Sequence, residues 1–274
     1  MQFINITSLD IPELEIYKIK KEVQLLRLYE PELGIFIAES AKVIRRALDA
    51  GYEPISMVTS LDNPDEEVAQ IYKEFEGLPI YYGDDLVLRE LLGYALSGGI
   101  FAAMKRKELP SLDGFINKRK VVAVLEDVEN PTNVGSIFRS AAAMNIDGII
   151  LTSDSADPLY RRSQRVSMGT VFQIPWTKIE KKMDYISYLS EKGFTTVAMA
   201  LSDDSVNIND PAIKEKEKLA VILGNEGYGL RSETISRSDY VAKIPMNPIV
   251  DSLNVAAASA VMFWELSKCQ HAEK

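Results

Sequence analysis

The sequence predicts an α/β protein of two domains, the second built on a mainly parallel sheet. Short apolar runs of strand length alternate with helical segments along most of the chain, as in α/β domains. In the second half, runs such as Val-Val-Ala-Val-Leu at residues 121–125 are apolar at every position, which indicates strands buried on both faces of a parallel sheet. A length of 274 residues with 46% apolar residues is enough for two hydrophobic cores.

The first domain is predicted to span residues 1–106. Residues 12–28 carry apolar side chains at helical spacing, which predicts an opening helix. Strands and helices then alternate, and turn residues such as Gly51 close the segments. The predicted strands are 34–38, 55–59, 78–82 and 98–104, and the predicted helices are 41–50, 65–75 and 86–92.

Residues 107–119 are predicted to form a linker, because charges, Pro110 and Gly114 interrupt the alternation there. The second domain, residues 120–274, resumes it. Its predicted strands are 121–125, 148–151, 171–175, 195–201, 219–223 and 240–244, and its predicted helices are 134–144, 183–192 and 253–266.

Composition limits the cellular setting. Cys269 is the single cysteine, so one chain can form neither a disulfide framework nor a cysteine-rich zinc site, and a reducing, cytoplasmic setting is expected. The first residues lack the pattern of a secretion signal, and no apolar run reaches the roughly 18 residues of a membrane span. Neither export nor a membrane anchor is expected.

The overall charge disfavours a nucleic-acid partner, since the formal net charge is -9 and Lys and Arg supply most of the affinity for phosphate. Two local clusters are exceptions and are candidates for RNA binding. They are Lys105, Arg106 and Lys107, and Arg161, Arg162 and Arg165. On charge alone, two solvated surfaces are an equally good interpretation.

Three polar segments follow predicted strands, where the ligands of α/β sheets collect. They are residues 130–139, 224–230 and 245–255. Each has an ordinary interpretation when taken alone: Asn133 and Ser252 are good helix N-caps, and Arg139 fits a surface cation. The glycines between 224 and 229 miss the G-x-G-x-x-G order, which disfavours a nucleotide-dependent oxidoreductase.

Taken together, these segments resemble the three signature motifs of the SpoU/TrmH-type RNA 2'-O-methyltransferases, within the SPOUT superfamily. The order of the three segments, their spacing and their placement after strands all agree with those motifs. Residues 157–175 look like the family's stretch between the first and second motifs, and Phe36-Ile37-Ala38-Glu39-Ser40 resembles the start of its substrate-binding domain. The resemblance covers most of the chain.

The resemblance implies a fold and an activity. Family members join a ribosomal-protein-like α/β domain, which binds substrate, to a SPOUT domain tied in a deep trefoil knot. They transfer a methyl group from S-adenosyl-L-methionine to a ribose 2'-hydroxyl of structured ribosomal or transfer RNA, without a metal. They act as homodimers with the active site near the subunit interface, so Arg139 of one chain is implied to serve the cofactor of the other.

Two sets of site residues are implied by the matching motifs. The cofactor set is Ala200, Leu201, Gly224, Asn225, Gly227, Ile244, Met246, Ser252 and Leu253. The catalytic set is Asn133, Arg139, Glu226, Ser252 and Asn254. The single histidine, His271, belongs to the last four residues, so a histidine base is not expected.

The role of Arg139 has two interpretations. In similar enzymes the matching arginine has been described as the base that accepts the proton. A guanidinium is a poor base, because its pKa lies above about 12. We favour an Arg139 that holds an RNA phosphate and stabilises the developing alkoxide, while the proton leaves to water or to a neighbour such as Glu226. Glu226 fits a loop-holding role equally well, and Asn133 and Asn254 are expected to fix Arg139 and the ribose.

Two departures from the family pattern are visible, and the second concerns the substrate more than the chemistry. Ala256 stands where many members carry a serine, and the N-terminal domain is acidic. The alternative function is an RNA-binding or ribosome-associated factor that keeps the fold without catalysis. The retained polar residues of the three motifs disfavour it, and binding of S-adenosyl-L-methionine would separate the two.

Overall fold

The computed structural model describes residues 2–18, 25, 34–60, 66–75, 77–93, 99–202, 204–247, 249–250 and 252–271. The chain forms two compact units. One comprises Met1–Glu108 with Leu159–Gln173, and the other comprises Leu109–Pro158 with Ile174–Lys274. Among the described helices, none is long and apolar enough to cross a membrane.

The first unit contains a five-stranded sheet in the order β1-β4-β3-β5-β2. Its strands are β1 (Gln2–Asn5), β2 (Ile35–Glu39), β3 (Pro54–Thr59), β4 (Pro79–Tyr82) and β5 (Ile100–Lys105). Strands β1, β4 and β3 are parallel, whereas β5 runs antiparallel to β3 and β2. The helices are Glu15–Lys18, Ala41–Asp49, Glu66–Glu74 and Asp85–Leu92.

The strands and helices predicted between residues 34 and 105 are confirmed, with ends that differ by a residue or two. Strand β1 is not predicted from the sequence, and it is ordered by pairing with β4. In the predicted helix 12–28, the described part comprises the 3-10 turn Pro12–Leu14, helix Glu15–Lys18 and the buried Leu25. The other residues of that prediction lie outside the described ones.

The segment Leu159–Gln173 covers the edge strand β2. Its helix Arg161–Val166 carries Gln164, whose Nε2 donates to the Ile37 carbonyl at 3.0 Å. The ring of Phe172 lies 5.7 Å from that of Phe36. An edge covered in this way offers no template for further pairing. The predicted second domain, residues 120–274, includes this segment, but its contacts place it in the first unit.

Ser40 joins β2 to helix Ala41–Asp49 with φ 78° and ψ 148°, a region almost restricted to glycine, and its side chain makes no capping hydrogen bond. We expect Ser40→Gly to stabilise the protein by about 1 kcal/mol, or roughly 2–4 °C in Tm. Relief of about 1–3 kcal/mol of strain exceeds the roughly 0.5–1 kcal/mol entropic cost of glycine. Calorimetry of both proteins measures the difference, and a lower Tm in the variant contradicts strain at Ser40.

The second unit contains a seven-stranded parallel sheet in the order β10-β12-β9-β11-β6-β7-β8. Its strands are β6 (Val121–Leu125), β7 (Gly148–Leu151), β8 (Trp176–Lys178), β9 (Thr195–Met199), β10 (Val206–Asn207), β11 (Leu219–Leu223) and β12 (Tyr240–Lys243). Every residue of β6 and β11 is buried. The α/β fold with a mainly parallel sheet is thus confirmed.

One predicted strand is wrong. Residues 171–175 do not form a strand: Thr170–Phe172 is a 3-10 turn, and β8 begins at Trp176. Val171 and Phe172 are buried, so their apolar pattern fits a packed turn as well as a strand. Gly169, with φ 82°, is the N-cap of this turn.

The helices of the second unit are Leu112–Ile116, Pro131–Ala143, Tyr185–Glu191, Pro211–Lys214, Ser232–Arg237 and Val255–His271. The second, third and last confirm the predicted helices, and the others are not predicted. Helix Leu112–Ile116 falls within the predicted linker. Ser111 caps it by accepting from Gly114 N at 3.3 Å, and Phe115 and Ile116 join the core of this unit. Residues 107–119 are therefore partly folded into the domain.

Candidate active site

A cavity of about 440 Å³ lies at the carboxyl ends of β9, β11 and β12 in the second unit. Its walls come mainly from residues 199–201, 223–230 and 242–258. All nine residues predicted for the cofactor line it: Ala200, Leu201, Gly224, Asn225, Gly227, Ile244, Met246, Ser252 and Leu253. In the third motif, Pro248 and Asp251 lie outside the described residues. The second and third motifs thus meet at the cavity, whose lining includes no described residue of the first motif, and binding of the cofactor by these particular residues stays a prediction.

The loop after β11 is a closed turn between Asn225 and Gly229, whose backbone groups exchange two hydrogen bonds of 3.0 Å. Asn225 Oδ1 accepts from Gly227 N at 2.7 Å, and Asn225 Nδ2 donates to the Asp127 carbonyl at 2.7 Å. Gly229 has φ 73°, which glycine adopts without strain. The turn is therefore fixed both internally and against the end of β6.

The Glu226 carboxylate joins this turn to the start of helix Pro131–Ala143. Its Oε1 accepts from Asn133 Nδ2 at 2.8 Å and from Asn130 N at 3.1 Å, while Oε2 accepts from Glu129 N at 3.3 Å. The positive end of the helix dipole favours a carboxylate there. Because both oxygens are engaged, the geometry favours a Glu226 that holds the loops together over one that accepts the substrate proton.

Asn133 extends this contact to the third motif. Its Oδ1 accepts from Asn254 Nδ2 at 3.2 Å, and Asn254 Oδ1 accepts from Ala256 N at 2.9 Å. Three predicted catalytic residues thus form one connected set, Glu226–Asn133–Asn254. Ser252 lines the cavity nearby and is exposed.

Two capping interpretations are wrong. The N-cap of helix Pro131–Ala143 is Asn130, whose side chain accepts from Thr132 N, and Asn133 lies within the helix. The last helix begins at Val255, and the side chain that accepts from its first turn is that of Asn254 instead of Ser252.

Arg139 is not brought to the cavity of its own chain. It is exposed on helix Pro131–Ala143 and is absent from the cavity lining. At helical geometry it lies about 120° around and about 9 Å along the axis from Asn133. Among the described residues it has no hydrogen bond or ion pair, so its guanidinium is available to a ligand.

A buried acidic pair, Glu126 and Asp127, follows β6 and is not predicted from the sequence. The two residues are 1% and 5% exposed. Asp127 Oδ2 accepts from Arg231 Nη2 at 2.6 Å, and Glu126 Oε1 accepts from Arg231 N at 2.9 Å. Two carboxylates directly after a fully apolar strand are the signal that could have identified them. Through Arg231, they hold the chain that follows the Asn225–Gly229 turn to the end of β6.

Glu126 is the central acceptor of this buried cluster. Its Oε2 accepts from Tyr185 OH and Thr234 Oγ1, both at 2.6 Å. Burial, and then the hydrogen bond to Glu126, raise the pKa of the Tyr185 hydroxyl, which therefore remains a neutral donor. A carboxylate satisfies all three donors at once, because both of its oxygens accept.

Glu126→Gln is expected to lower the free energy of unfolding by about 3 kcal/mol. The amide of glutamine is neutral and its nitrogen only donates, so the cluster loses its charged acceptor and the Tyr185 and Thr234 hydroxyls must turn to accept from the amide. Urea unfolding measures the change. The control is Glu129→Gln, an exposed glutamate nearby, which we expect to change stability by no more than about 0.5 kcal/mol. Equal midpoints for the two variants contradict the role of Glu126.

The predicted RNA-binding cations lie in the first unit. Lys105 Nζ pairs with Glu53 at 3.1 Å, and Arg106 Nε donates to the Ile35 carbonyl at 3.3 Å. Lys107 donates to the Ala50 carbonyl. Arg161, Arg162 and Arg165 lie on helix Arg161–Val166, with the last two exposed. Lys105, Arg106 and Lys107 thus have partners within their own unit. RNA binding by these three and by the three arginines of the helix stays a prediction.

Comparison with known proteins identifies the family. Residues 120–264 match the model of the SpoU rRNA Methylase family, which is more than half of the chain. The chain belongs to the SpoU rRNA methylase family. An uncharacterized tRNA/rRNA methyltransferase of Mycobacterium bovis is 33% identical over 241 residues, covering 87% of this chain and 82% of that protein. The family resemblance found in the sequence is confirmed, and the cavity and the set Glu226–Asn133–Asn254 lie within the SpoU match.

Solved structures share the fold over almost the whole chain. An AdoMet-bound rRNA methyltransferase from Sinorhizobium meliloti has a TM-score of 0.82 at 26% identity and covers 98% of both chains. The SpoU methyltransferase AviRb from Streptomyces viridochromogenes, in complex with AdoMet, has a TM-score of 0.78 at 20% identity, covering 96% of this chain and 100% of that one. An RNA 2'-O ribose methyltransferase has a TM-score of 0.75 at 22% identity, covering 97% and 99%. At their lower identities, the last two establish the SpoU fold alone.

Proposed function

We propose that this SpoU family member transfers a methyl group from S-adenosyl-L-methionine to a ribose 2'-hydroxyl of ribosomal or transfer RNA. The observation that carries the proposal is one cavity of about 440 Å³ that all nine predicted cofactor residues line, beside the set Glu226–Asn133–Asn254. The names of the family and of the Mycobacterium bovis relative support RNA methylation. The bound AdoMet of the Sinorhizobium meliloti enzyme supports the methyl donor.

The cavity residues suit this donor in size and chemistry. The volume falls within the range of about 300–1,000 Å³ typical of ligand sites. Ile244, Met246 and Leu253 offer apolar contact to an adenosine or thioether group, and the turn at Gly224 and Gly227 brings backbone groups to the cavity wall. When bound, the donor supplies an electrophilic methyl group on sulfur.

The task of the protein is then mainly one of position. The loops hold the ribose oxygen in line with the methyl–sulfur bond, and such alignment can account for much of the acceleration. Asn133 and Asn254 connect the first motif to the third and keep these loops in register. Arg139 stabilises the negative charge that develops on the 2'-oxygen, and the hydroxyl proton leaves to water or to a neighbouring group.

We also propose a homodimer in which Arg139 serves the partner's cavity, together with the trefoil knot and a cytoplasmic location. Arg139 does not line the cavity of its own chain, which supports action across an interface. Val261 and Trp264 share one face of the last helix and are 39% and 53% exposed. Exposed apolar side chains of this size are typical of association surfaces. The SpoU fold supports the knot, and the single cysteine supports the location.

The decisive experiment exposes RNA from a strain lacking this protein to the purified enzyme and labelled S-adenosyl-L-methionine, and then maps the modified position. We expect one 2'-O-methylated nucleotide. Label on a base contradicts ribose methylation. RNA binding without donor binding, measured by titration calorimetry, favours the alternative, a catalytically inactive RNA-binding or ribosome-associated factor.

A further inference from the structure

Part of the mouth of the cavity is an apolar rim. Three residues that line the cavity are large, apolar and exposed: Leu201 at 55%, Tyr228 at 63% and Leu253 at 39%. Of the residues that line the cavity, Glu226 and Lys243 are charged, and the Glu226 carboxylate is occupied by hydrogen bonds to the first motif. The rim therefore offers apolar contact and one aromatic ring.

Tyr228 projects from a rigid support. It occupies the closed turn whose ends, Asn225 and Gly229, exchange two backbone hydrogen bonds of 3.0 Å. Asn225 ties that turn to the Asp127 carbonyl at 2.7 Å. A ring on a fixed backbone has few torsions left to order when a ligand binds, so little entropy is lost on contact.

The charges around Tyr228 favour contact with a nucleobase of an RNA over contact with a phosphate. Burial first, and then the nearby carboxylates of Asp127, Glu129 and Glu126, raise the pKa of the Tyr228 hydroxyl, and one cation, Arg231, opposes them. This excess of negative charge would repel a phosphate, because Lys and Arg supply most of the affinity for phosphate. A neutral nucleobase is not repelled, and every base has a face that stacks on an aromatic ring.

We propose that Tyr228, with Leu201 and Leu253 beside it, is a stacking platform for an unpaired base of the RNA substrate. The proposal rests on the proposed function and specifies its substrate class as a nucleotide in a loop, bulge or single strand. Within an A-form duplex the bases are stacked on their neighbours, so their faces cannot reach a ring at the rim of a cavity. A splayed base on Tyr228 would bring its ribose to the side of the cavity.

The test measures RNA affinity by fluorescence anisotropy with full-length protein saturated with S-adenosylhomocysteine. The probes are a labelled single-stranded RNA and the same strand in a blunt duplex. Tyr228→Ala is expected to weaken binding of the single strand about 10-fold, whereas Tyr228→Phe keeps it and the duplex is unaffected. The control is Ser236→Ala, an exposed residue of helix Ser232–Arg237 outside the cavity lining, which should match the wild type.

Three results would overturn the platform. Equal affinity of Tyr228→Ala and wild type for the single strand removes the ring from RNA binding. A loss of S-adenosylhomocysteine affinity in Tyr228→Ala assigns the ring to the methyl donor, and a changed oligomeric state assigns it to a subunit contact. Failure of the proposed function is distinct from these, because it shows in the wild type itself, as absent donor binding, absent methyl transfer or label on a base.

Discussion

Replacing Arg139 by alanine is expected to lower methyl transfer by about 10²–10³-fold and to leave the affinity for S-adenosyl-L-methionine unchanged. Arg139 is exposed on helix Pro131–Ala143 and does not line the cavity of its own chain, so the change removes no contact to a donor bound there. What is lost is the positive charge beside the 2'-oxygen, where negative charge develops during transfer. Single-turnover transfer and titration calorimetry measure the two quantities separately.

Two controls make this result specific. Arg139→Lys keeps a charge without the planar fork and should recover part of the rate. Arg89→Ala removes an exposed arginine from helix Asp85–Leu92 of the first unit and should keep the wild-type rate. Full activity of Arg139→Ala would remove this residue from the mechanism.

A mixing experiment tests the proposed action across subunits. Arg139→Ala has an intact cavity, and Gly224→Ala has an intact arginine. If Arg139 serves the partner's cavity, heterodimers of these two impaired parents contain one complete site and recover activity at a donor concentration too low for the Gly224→Ala cavity. If the arginine acts within its own chain, the mixture stays as inactive as its parents.

The parallel sheet could be predicted because its strands are specified locally. The runs at 121–125, 148–151 and 219–223 form strands with the predicted bounds. Burial on both faces of the sheet requires apolar residues at consecutive positions, so the sequence carries the signal without reference to distant partners. For the same reason the loops after 121–125 and 219–223 could be identified as candidate sites.

The contacts that assemble the site could not be predicted, because they join distant parts of the chain. Asn254 and Asn133 are 121 residues apart, and Arg231 and Asp127 are 104 apart. Local periodicity encodes neither which distant residue a side chain contacts nor how far away in the sequence that residue lies. The packing of Leu159–Gln173 on β2 is a similar case, since an apolar turn such as Val171–Phe172 has the pattern of a short strand.

Gly224→Ala is expected to weaken binding of S-adenosyl-L-methionine about 100-fold. A Cβ at Gly224 would lie 2.5 Å from Gly229 C and from Leu230 N, and because these are backbone atoms the whole turn must shift. Gly227 is the matched control in the same turn: its Cβ would meet only Asn225 Oδ1, at 3.4 Å, so Gly227→Ala should cause a much smaller loss. Calorimetric titration of both variants decides the matter, because equal affinities would mean that the close approach at Gly224 does not shape the donor site.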